Sequence, residues 1–170
     1  MNRIAKFEKI SPGNFYHSIK EERGISQEDA ESIYAALQLP QRATTGSAGY
    51  DFHTPFAIDL LPGETAKIPT GIRCKMEADW VLMLFPRSGL GFKYRLQLNN
   101  TVGVIDSDYY NSDNEGHIFI KITNDSNEGK EIHLVPGDSF AQGVFLPYGI
   151  TEDDCVSDVR NGGFGSTDKK

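Results

Sequence analysis

The chain has 170 residues, a formal net charge of −7 and 24% charged residues, as expected for one ordinary globular domain. The acidic balance argues against stable nucleic-acid binding, because that needs concentrated lysine and arginine. No apolar run approaches the roughly 18 residues of a membrane-spanning helix, and the N-terminus lacks the order of a signal peptide. Cys74 and Cys155 show no zinc or disulfide spacing, so reduced thiols are predicted. We expect a cytoplasmic protein without membrane contact.

The stretch from Asn14 to Leu39 has helical character. Ser26 is a typical N-cap, Gly24 separates a weaker preceding helix, and Pro40 ends the segment. Apolar residues recur at helical spacing, at Ala30, Ile33, Tyr34 and Leu37. The pattern predicts a helical hairpin inserted over 14–39. It offers no convergent polar set, so we expect it to serve packing or contact with a protein partner.

From Gly49 onward the pattern is that of β-structure. Short apolar segments are separated by turn signals, and one segment alternates strictly, with Ile118, Ile120 and Ile122 on one face. The turn signals are LPGE, PRSG and VPGD, and the strand-like segments are AIDLL, TAKI, WVLMLF, HIFIKIT and GVFLP. Many short strands without alternating helices predict an all-β domain that is jelly-roll-like or barrel-like.

Two stretches carry candidate anion-binding and catalytic groups. PRSGLG places Arg87 and Ser88 before two glycines, which suits a phosphate, although the same residues also form ordinary turns. NNTVGVIDSDYY delivers Asp106 directly after an apolar strand, where we expect a partly desolvated carboxylate that could act as a base. Asp108 and Tyr109 follow within reach. The alternative for Asp106 is a strand that ends in an Asx-type turn.

Two further stretches are ambiguous by themselves. GDSFAQGVF places the amide of Gln142 on a strand of small and apolar residues, where it either bonds neighbouring backbone or points into a site. The closing RNGGFGST is neither a Walker loop nor a dinucleotide fingerprint. Its glycine-rich backbone could wrap phosphate oxygens, Arg160 could neutralise them, and Phe164 could lie on a flat heterocycle. The alternative is a disordered tail.

Together these stretches resemble a known family. GSAGYD, PRSGLG, NNTVGVIDSDYY, GDSFAQ and RNGGFGST are similar, in this order, to the five motifs of the trimeric dUTPases, across Thr44 to Thr167. The resemblance implies a distorted β jelly roll of the β-clip type. It also implies a homotrimer with three active sites at subunit boundaries. The helical insertion 14–39 and a flexible glycine-rich lid over 159–170 would complete a single domain.

The resemblance further implies hydrolysis of dUTP to dUMP and pyrophosphate, which keeps uracil out of DNA and supplies dUMP for thymidylate synthesis. Asp106 matches the catalytic aspartate that deprotonates the water attacking the α-phosphorus. Gln142 matches a phosphate-binding position that assists it. Mg²⁺ would be held chiefly by the phosphates and by water, with Asp51 acting on its water shell or bracing the site.

Substrate recognition is implied in the same way. Asn100 and Gly103 belong to the β-hairpin that reads uracil, and Tyr109 matches the tyrosine that packs under the deoxyribose and excludes a 2′-hydroxyl. A third chain would donate the lid, with Phe164 stacked on the uracil. The triphosphate would be bound by Arg87, Ser88, Gly89, Arg160, Gly165, Ser166 and Thr167.

The sequence departs from the family pattern at three places. YYNSDNEG carries what resembles a five-residue insertion, 111–115, which we expect to lengthen a surface turn. The last motif is one residue shorter than usual between Arg160 and the glycines. The segment 14–39 has no counterpart in the minimal pattern.

Two rival functions stay open from the sequence. A dCTP deaminase shares a related fold but needs a glutamate poised at the pyrimidine ring, whereas Tyr109 and the phenylalanine-containing tail match the hydrolase. A regulatory protein that is controlled by nucleotide binding would use the insertion 14–39 to hold a protein partner.

Overall fold

The computed structural model describes residues 2–158 and 160, and it is mostly β-structure. Two helices follow the first strand, a third lies in mid-chain, and a 3-10 helix spans Ser107–Asn111. The helices are α1 (Pro12–Arg23), α2 (Gln27–Ala36) and α3 (Ser88–Tyr94). The strands are β1 (Ala5–Lys9), β2 (Tyr50–His53), β3 (Ile58–Leu60), β4 (Thr65–Pro69), β5 (Ile72–Met76), β6 (Trp80–Pro86), β7 (Leu96–Leu98), β8 (Gly103–Ile105), β9 (Phe119–Asn124), β10 (Ile132–Leu134) and β11 (Ser139–Pro147).

These strands form four antiparallel sheets. The largest has the order β2-β11-β6-β8, and a second has the order β4-β9-β7. Two-stranded sheets pair β1 with β5 and β10 with β3. Short antiparallel strands with crossed order are typical of jelly-roll-like domains, so the predicted all-β class is confirmed.

The core lies between these sheets. Ile118, Ile120 and Ile122 are all buried, as their alternation along the sequence predicts. Phe52 and Phe140 contribute aromatic rings to the same core from the β2 and β11 side. The inward faces of the short strands therefore make one continuous apolar interior, and the polar outer faces are left for the site.

The predicted helical hairpin forms, with slightly earlier boundaries than 14–39. Ser26 caps α2 by accepting a hydrogen bond from the Asp29 backbone N–H, and Gly24 ends α1 in the left-handed conformation, both as expected. Phe15 and Ile19 of α1 are completely buried. The hairpin is therefore part of the hydrophobic core, and the predicted packing role is confirmed.

One prediction about local structure is wrong. PRSG is predicted to be a turn, but Ser88 begins helix α3, because Pro86 ends β6 and the chain continues in helical geometry. The opening segment forms β1, which pairs with β5. Among the described residues both cysteines are free, and burial raises the pKa of the Cys74 thiol to about 12. The predicted flexible lid, 159–170, lies outside the described residues except for Arg160.

Candidate active site

One group of predicted site residues lies where β2 and β11 pair. Gln142 is opposite Asp51 on one side and opposite Phe85 on the other. Its side-chain Nε2 donates a 3.0 Å hydrogen bond to the carbonyl of Pro86. Gly49 packs against the other end of the amide, since a Cβ built there would be 2.5 Å from Gln142 Oε1. The Gln142 amide is therefore held in one orientation by backbone on both sides.

Arg87 completes this group. It follows β6, occupies the N-cap position of α3, and forms a hydrogen-bonded ion pair with Asp51. A guanidinium has five N–H donors, so this contact leaves donors for a ligand. Ser88 and Gly89 begin α3, and the Arg87 side chain does not cap that helix. The first N–H groups of a helix lack intrahelical acceptors, so they suit an anion at this corner.

The predicted base lies elsewhere in the sheet. Asp106 follows β8 and precedes the 3-10 helix, and its side chain makes no capping bond to that helix, so the Asx-turn alternative is wrong. Its side chain is 50% exposed in the single chain, so about half of its surface is covered. Arg160 bridges two carboxylates there, with Nη2 2.5 Å from Asp106 Oδ2 and Nε 2.8 Å from Asp108 Oδ1. A half-exposed carboxylate of this kind can accept a proton from water once Arg160 releases it.

Tyr109 is buried beside these carboxylates. Its hydroxyl donates to the carbonyl of His117 at 2.8 Å and accepts from Asn114 Nδ2 at 2.9 Å. Burial raises the pKa of Tyr109 above its usual value. The guanidinium carbon of Arg160 lies 5.8 Å from the ring centroid. In the single chain the Arg160 guanidinium therefore lies over the Tyr109 ring.

The turn that joins β7 to β8 borders a cavity. The two strands pair with β9 and β6 and not with each other, so the β-hairpin implied by the family resemblance is not a paired hairpin here. Asn100 lies in this turn, and Thr101 has a φ of +66° there. Gly103 pairs with Leu84, and a Cβ at Gly103 would lie 3.0 Å from the Leu84 side chain, so glycine allows the close approach. The cavity has a volume of about 340 Å³. It is lined mostly by apolar atoms and includes Leu84, Leu98, Asn100, Gly103, Ile105 and Phe119.

The two groups of residues do not meet within one chain. Ile105, which precedes Asp106, pairs with Leu82 near the start of β6, whereas Arg87 follows the end of β6. At about 3.3 Å per strand residue, Leu82 and Arg87 are roughly 17 Å apart. Asp51, Arg87 and Gln142 form one half of a site, and Asp106 lies at the other half.

Other features of the described part of the chain bear on the predictions. No group of three or more His, Cys, Asp or Glu side chains there is arranged to hold a metal ion, and no helix there could cross a membrane. A larger polar depression of about 720 Å³ between α1 and β3–β4 contains none of the predicted site residues. The predicted lid contacts of Phe164, Gly165, Ser166 and Thr167 lie outside the described residues.

Sequence reasoning missed three contacts that shape the site. The steric requirement at Gly49 depends on β11, a strand far along the chain, because it involves Gln142. The pairing of Arg160 with Asp108 and the support of Tyr109 by Asn114 also join distant or irregular segments. Of these three contacts, only the one to Asp108 had a signal in the sequence, because Asp108 lies two residues after Asp106 and is also acidic.

Comparison with known proteins identifies the family. The dUTPase family profile matches residues 35–168. The deoxyuridine 5′-triphosphate nucleotidohydrolase of Lactococcus lactis subsp. lactis (strain IL1403) is 43% identical over 136 residues, which cover 78% of this chain and 89% of that protein. The protein of the same name from Laribacter hongkongensis (strain HLHK9) is 41% identical over 145 residues, covering 79% and 91%.

Solved structures agree with this result. A crystal structure of the dUTPase from Streptococcus mutans is 34% identical, with a TM-score of 0.62, and the match covers 86% of this chain and 98% of that one. A point mutant of the dUTPase from phage phi11 of S. aureus, described with a structural Mg(II) ion, shares the fold at 21% identity and a TM-score of 0.62, covering 92% and 98%. By its profile match and its relatives, the chain belongs to the dUTPase family.

Proposed function

We propose that this protein hydrolyses dUTP to dUMP and pyrophosphate, and so keeps uracil out of DNA and supplies dUMP for thymidylate synthesis. The observation that carries the proposal is the position of Asp106. Half of its side chain is exposed at the end of β8, directly after Ile105, which lines the apolar cavity beside the turn between β7 and β8. When the uracil of dUTP is bound in that cavity, the phosphates of the same molecule lie next to a carboxylate that can accept a proton.

The reaction is a general-base displacement. Asp106 accepts a proton from a water molecule while the water oxygen bonds to the α-phosphorus. The bond from the α-phosphorus to the oxygen that bridges to the β-phosphorus breaks, and pyrophosphate leaves with the electron pair of that bond. Most of the rate enhancement comes from alignment of the water with the phosphorus and from neutralisation of phosphate charge.

The Asp51, Arg87 and Gln142 group binds the phosphates. Arg87 offers a forked cation whose orientation Asp51 holds, and Ser88 and Gly89 add donors at the start of α3. Gln142 contributes to the same phosphate contacts. Mg²⁺ held by the triphosphate would neutralise phosphate charge there. Asp51 would contact the water shell of that ion, since hard carboxylate oxygens suit Mg²⁺, while it keeps its ion pair with Arg87.

The turn between β7 and β8 reads the nucleoside together with Tyr109. Asn100 and the backbone near Gly103 present polar groups at the rim of the cavity, where hydrogen bonds to uracil discriminate against cytosine. Tyr109 packs under the deoxyribose after Arg160 leaves its ring. A 2′-hydroxyl then lacks space, so UTP is a poor substrate.

A complete site needs more than one chain. Leu82, the partner of Ile105, and Arg87 are roughly 17 Å apart at about 3.3 Å per strand residue, which is too far for one α-phosphate to contact both groups. We propose a homotrimer in which Arg87 and Gln142 of one subunit face Asp106 of another. A third chain contributes the tail 159–170. Arg160 of that third chain then leaves Asp106 and Asp108 of its own subunit and bonds the phosphates in the site that its tail covers.

The test is pyrophosphate release from dUTP, dCTP, dTTP and UTP with Mg²⁺. We expect hydrolysis of dUTP alone, and loss of hydrolysis in a chain ending at Asp158. Asp106→Asn should abolish turnover and keep dUTP binding, measured by calorimetry. Asp108→Asn is the matched control, since that carboxylate also bonds Arg160 and should tolerate the change. Rapid turnover by Asp106→Asn would contradict its role as base, and ammonia release from dCTP would favour a deaminase.

A further inference from the structure

Two segments that depart from the family pattern contact each other next to Tyr109 in the chain. The first is α1 of the helical hairpin, and the second is the insertion 111–115. The segment 112–117, which contains most of that insertion and continues to His117, is here called the insert loop. The insert loop follows Tyr109 closely in sequence and folds back over it. The sequence predicts a lengthened surface turn over 111–115, and within it Asn111 and Asp113 are exposed whereas Ser112 is buried, as is the following His117.

The insert loop holds Tyr109 from several directions. The Tyr109 hydroxyl bonds the His117 carbonyl and the Asn114 amide, at 2.8 and 2.9 Å. The Ser112 hydroxyl donates to the Tyr109 carbonyl at 2.5 Å. Both ends of the tyrosine, backbone and hydroxyl, are thus bonded to this one loop. Any movement of the loop is transmitted to the Tyr109 ring.

The insert loop is in turn tied to α1 through Glu115. Glu115 Oε2 accepts the Ser11 backbone N–H at 2.7 Å, and Oε1 accepts the Ser11 hydroxyl and Asn14 Nδ2, both at 2.7 Å. These bonds, and most of all the one from the Ser11 backbone, lower the pKa of Glu115. The carboxylate is therefore charged, and it joins the loop to the first turn of the hairpin.

His117 provides a second, buried connection. The Ser18 hydroxyl donates to the Asn14 carbonyl at 2.9 Å, so at its 3.3 Å contact with His117 Nδ1 the imidazole must be the donor. His117 Nε2 then accepts the Gly71 backbone N–H at 2.9 Å. The neutral ring is fixed between α1 and the start of β5.

The backbone of the loop needs this support. Glu115 has a φ of +60°, which is unfavourable for a residue with a side chain. Gly116 has a φ of +70°, and a Cβ there would lie 2.7 Å from the Tyr110 Cα. A strained, closely packed turn keeps its conformation only where surrounding contacts hold it. The bonds from Glu115 to α1 are such contacts.

We infer that Glu115 is a positioning residue for sugar recognition, which acts through Tyr109 and uses the helical hairpin as its anchor. The inference rests on the proposed role of Tyr109 under the deoxyribose. It gives the hairpin a purpose within the enzyme: α1 supports the part of the site that distinguishes deoxyribose from ribose.

The test is the ratio of kcat/KM for dUTP to kcat/KM for UTP in the full-length protein. Glu115→Gly removes the three hydrogen bonds while glycine accepts the positive φ without strain. We expect the ratio to fall about tenfold, since small misplacements at a reacting site cost up to about 100-fold. Glu128→Gly is the matched control, because Glu128 lies in an exposed turn and its ion pair is with Lys130.

A second variant guards against loss of folding. Asn14→Ala removes one bond to Glu115 from a partly exposed helix start and should lower the same ratio by a smaller factor. Equal losses for dUTP and UTP, or an unchanged ratio in both variants, would overturn the inference and leave Glu115 a purely structural role. Absence of dUTP hydrolysis by the unmodified protein would instead overturn the proposed function, and the inference with it.

Discussion

Gly49→Ala is expected to damage catalysis while leaving the fold nearly intact. The new Cβ would lie 2.5 Å from Gln142 Oε1, whereas ordinary van der Waals contact begins at 3.4 Å. The Gln142 amide must therefore move by about 0.9 Å, the difference of these two distances. Gly49 has no positive φ, so alanine fits the backbone itself. The amide is the end of a flexible side chain, and it moves more easily than the strands.

This movement breaks the 3.0 Å bond from Gln142 Nε2 to the Pro86 carbonyl. One net hydrogen bond contributes about 1 kcal/mol, so the free energy of unfolding should fall by about that amount. A displacement of about 1 Å at a phosphate contact costs about 100-fold in rate, or roughly 2.7 kcal/mol of transition-state stabilisation. The prediction is thus a large loss of kcat/KM for dUTP with a small loss of stability.

The assay combines steady-state pyrophosphate release with urea denaturation. Gly46→Ala is the matched control, since nothing lies within 4 Å of a Cβ at that position in the same segment. The double variant Gly49→Ala/Gln142→Ala should be no worse than Gln142→Ala alone, because both act through one amide. Additive losses, or unchanged kcat/KM in Gly49→Ala, would refute the reasoning.

Two further predictions concern stability. Gly71→Ala should lower the free energy of unfolding, measured by urea denaturation, by about 1–3 kcal/mol, because its Cβ would overlap Leu37 Cδ1 and its φ is +72°. Gly129→Ala is the control: its φ is +71° but nothing lies near its Cβ, so its loss of stability measures the cost of the positive φ alone. Burial lowers the pKa of His117 from 6.5 to about 3, so stability is full above pH 6.5 and falls as the unfolded chain gains a proton that the folded chain cannot. Between pH 7.5 and 5 the free energy of unfolding should fall by about 2 kcal/mol, and His117→Gln should remove this pH dependence. If the free energy of unfolding of His117→Gln falls equally with pH, other groups cause the dependence.

Local sequence signals predicted much of the fold. Alternation places Ile118, Ile120 and Ile122 on the buried face of β9 because side chains alternate across any strand, whatever its neighbours. The caps Gly24 and Ser26 act within a few residues of their own helices. Five ordered motifs then named the family, because the residues that contact one ligand recur in order along related chains.

Other features were decided only by tertiary structure. PRSG is compatible with a turn or a helix start, and the place of Pro86 at the end of β6 selects α3. The ion pair between Asp106 and Arg160 could not be predicted from local sequence, because the two residues are 54 positions apart and the fold brings them together. The close approach of Gly49 to Gln142 and the bonds of Glu115 to Ser11 join segments far apart in the chain. Pattern and propensity act over a few residues, whereas such contacts depend on which strands and helices the whole fold brings together.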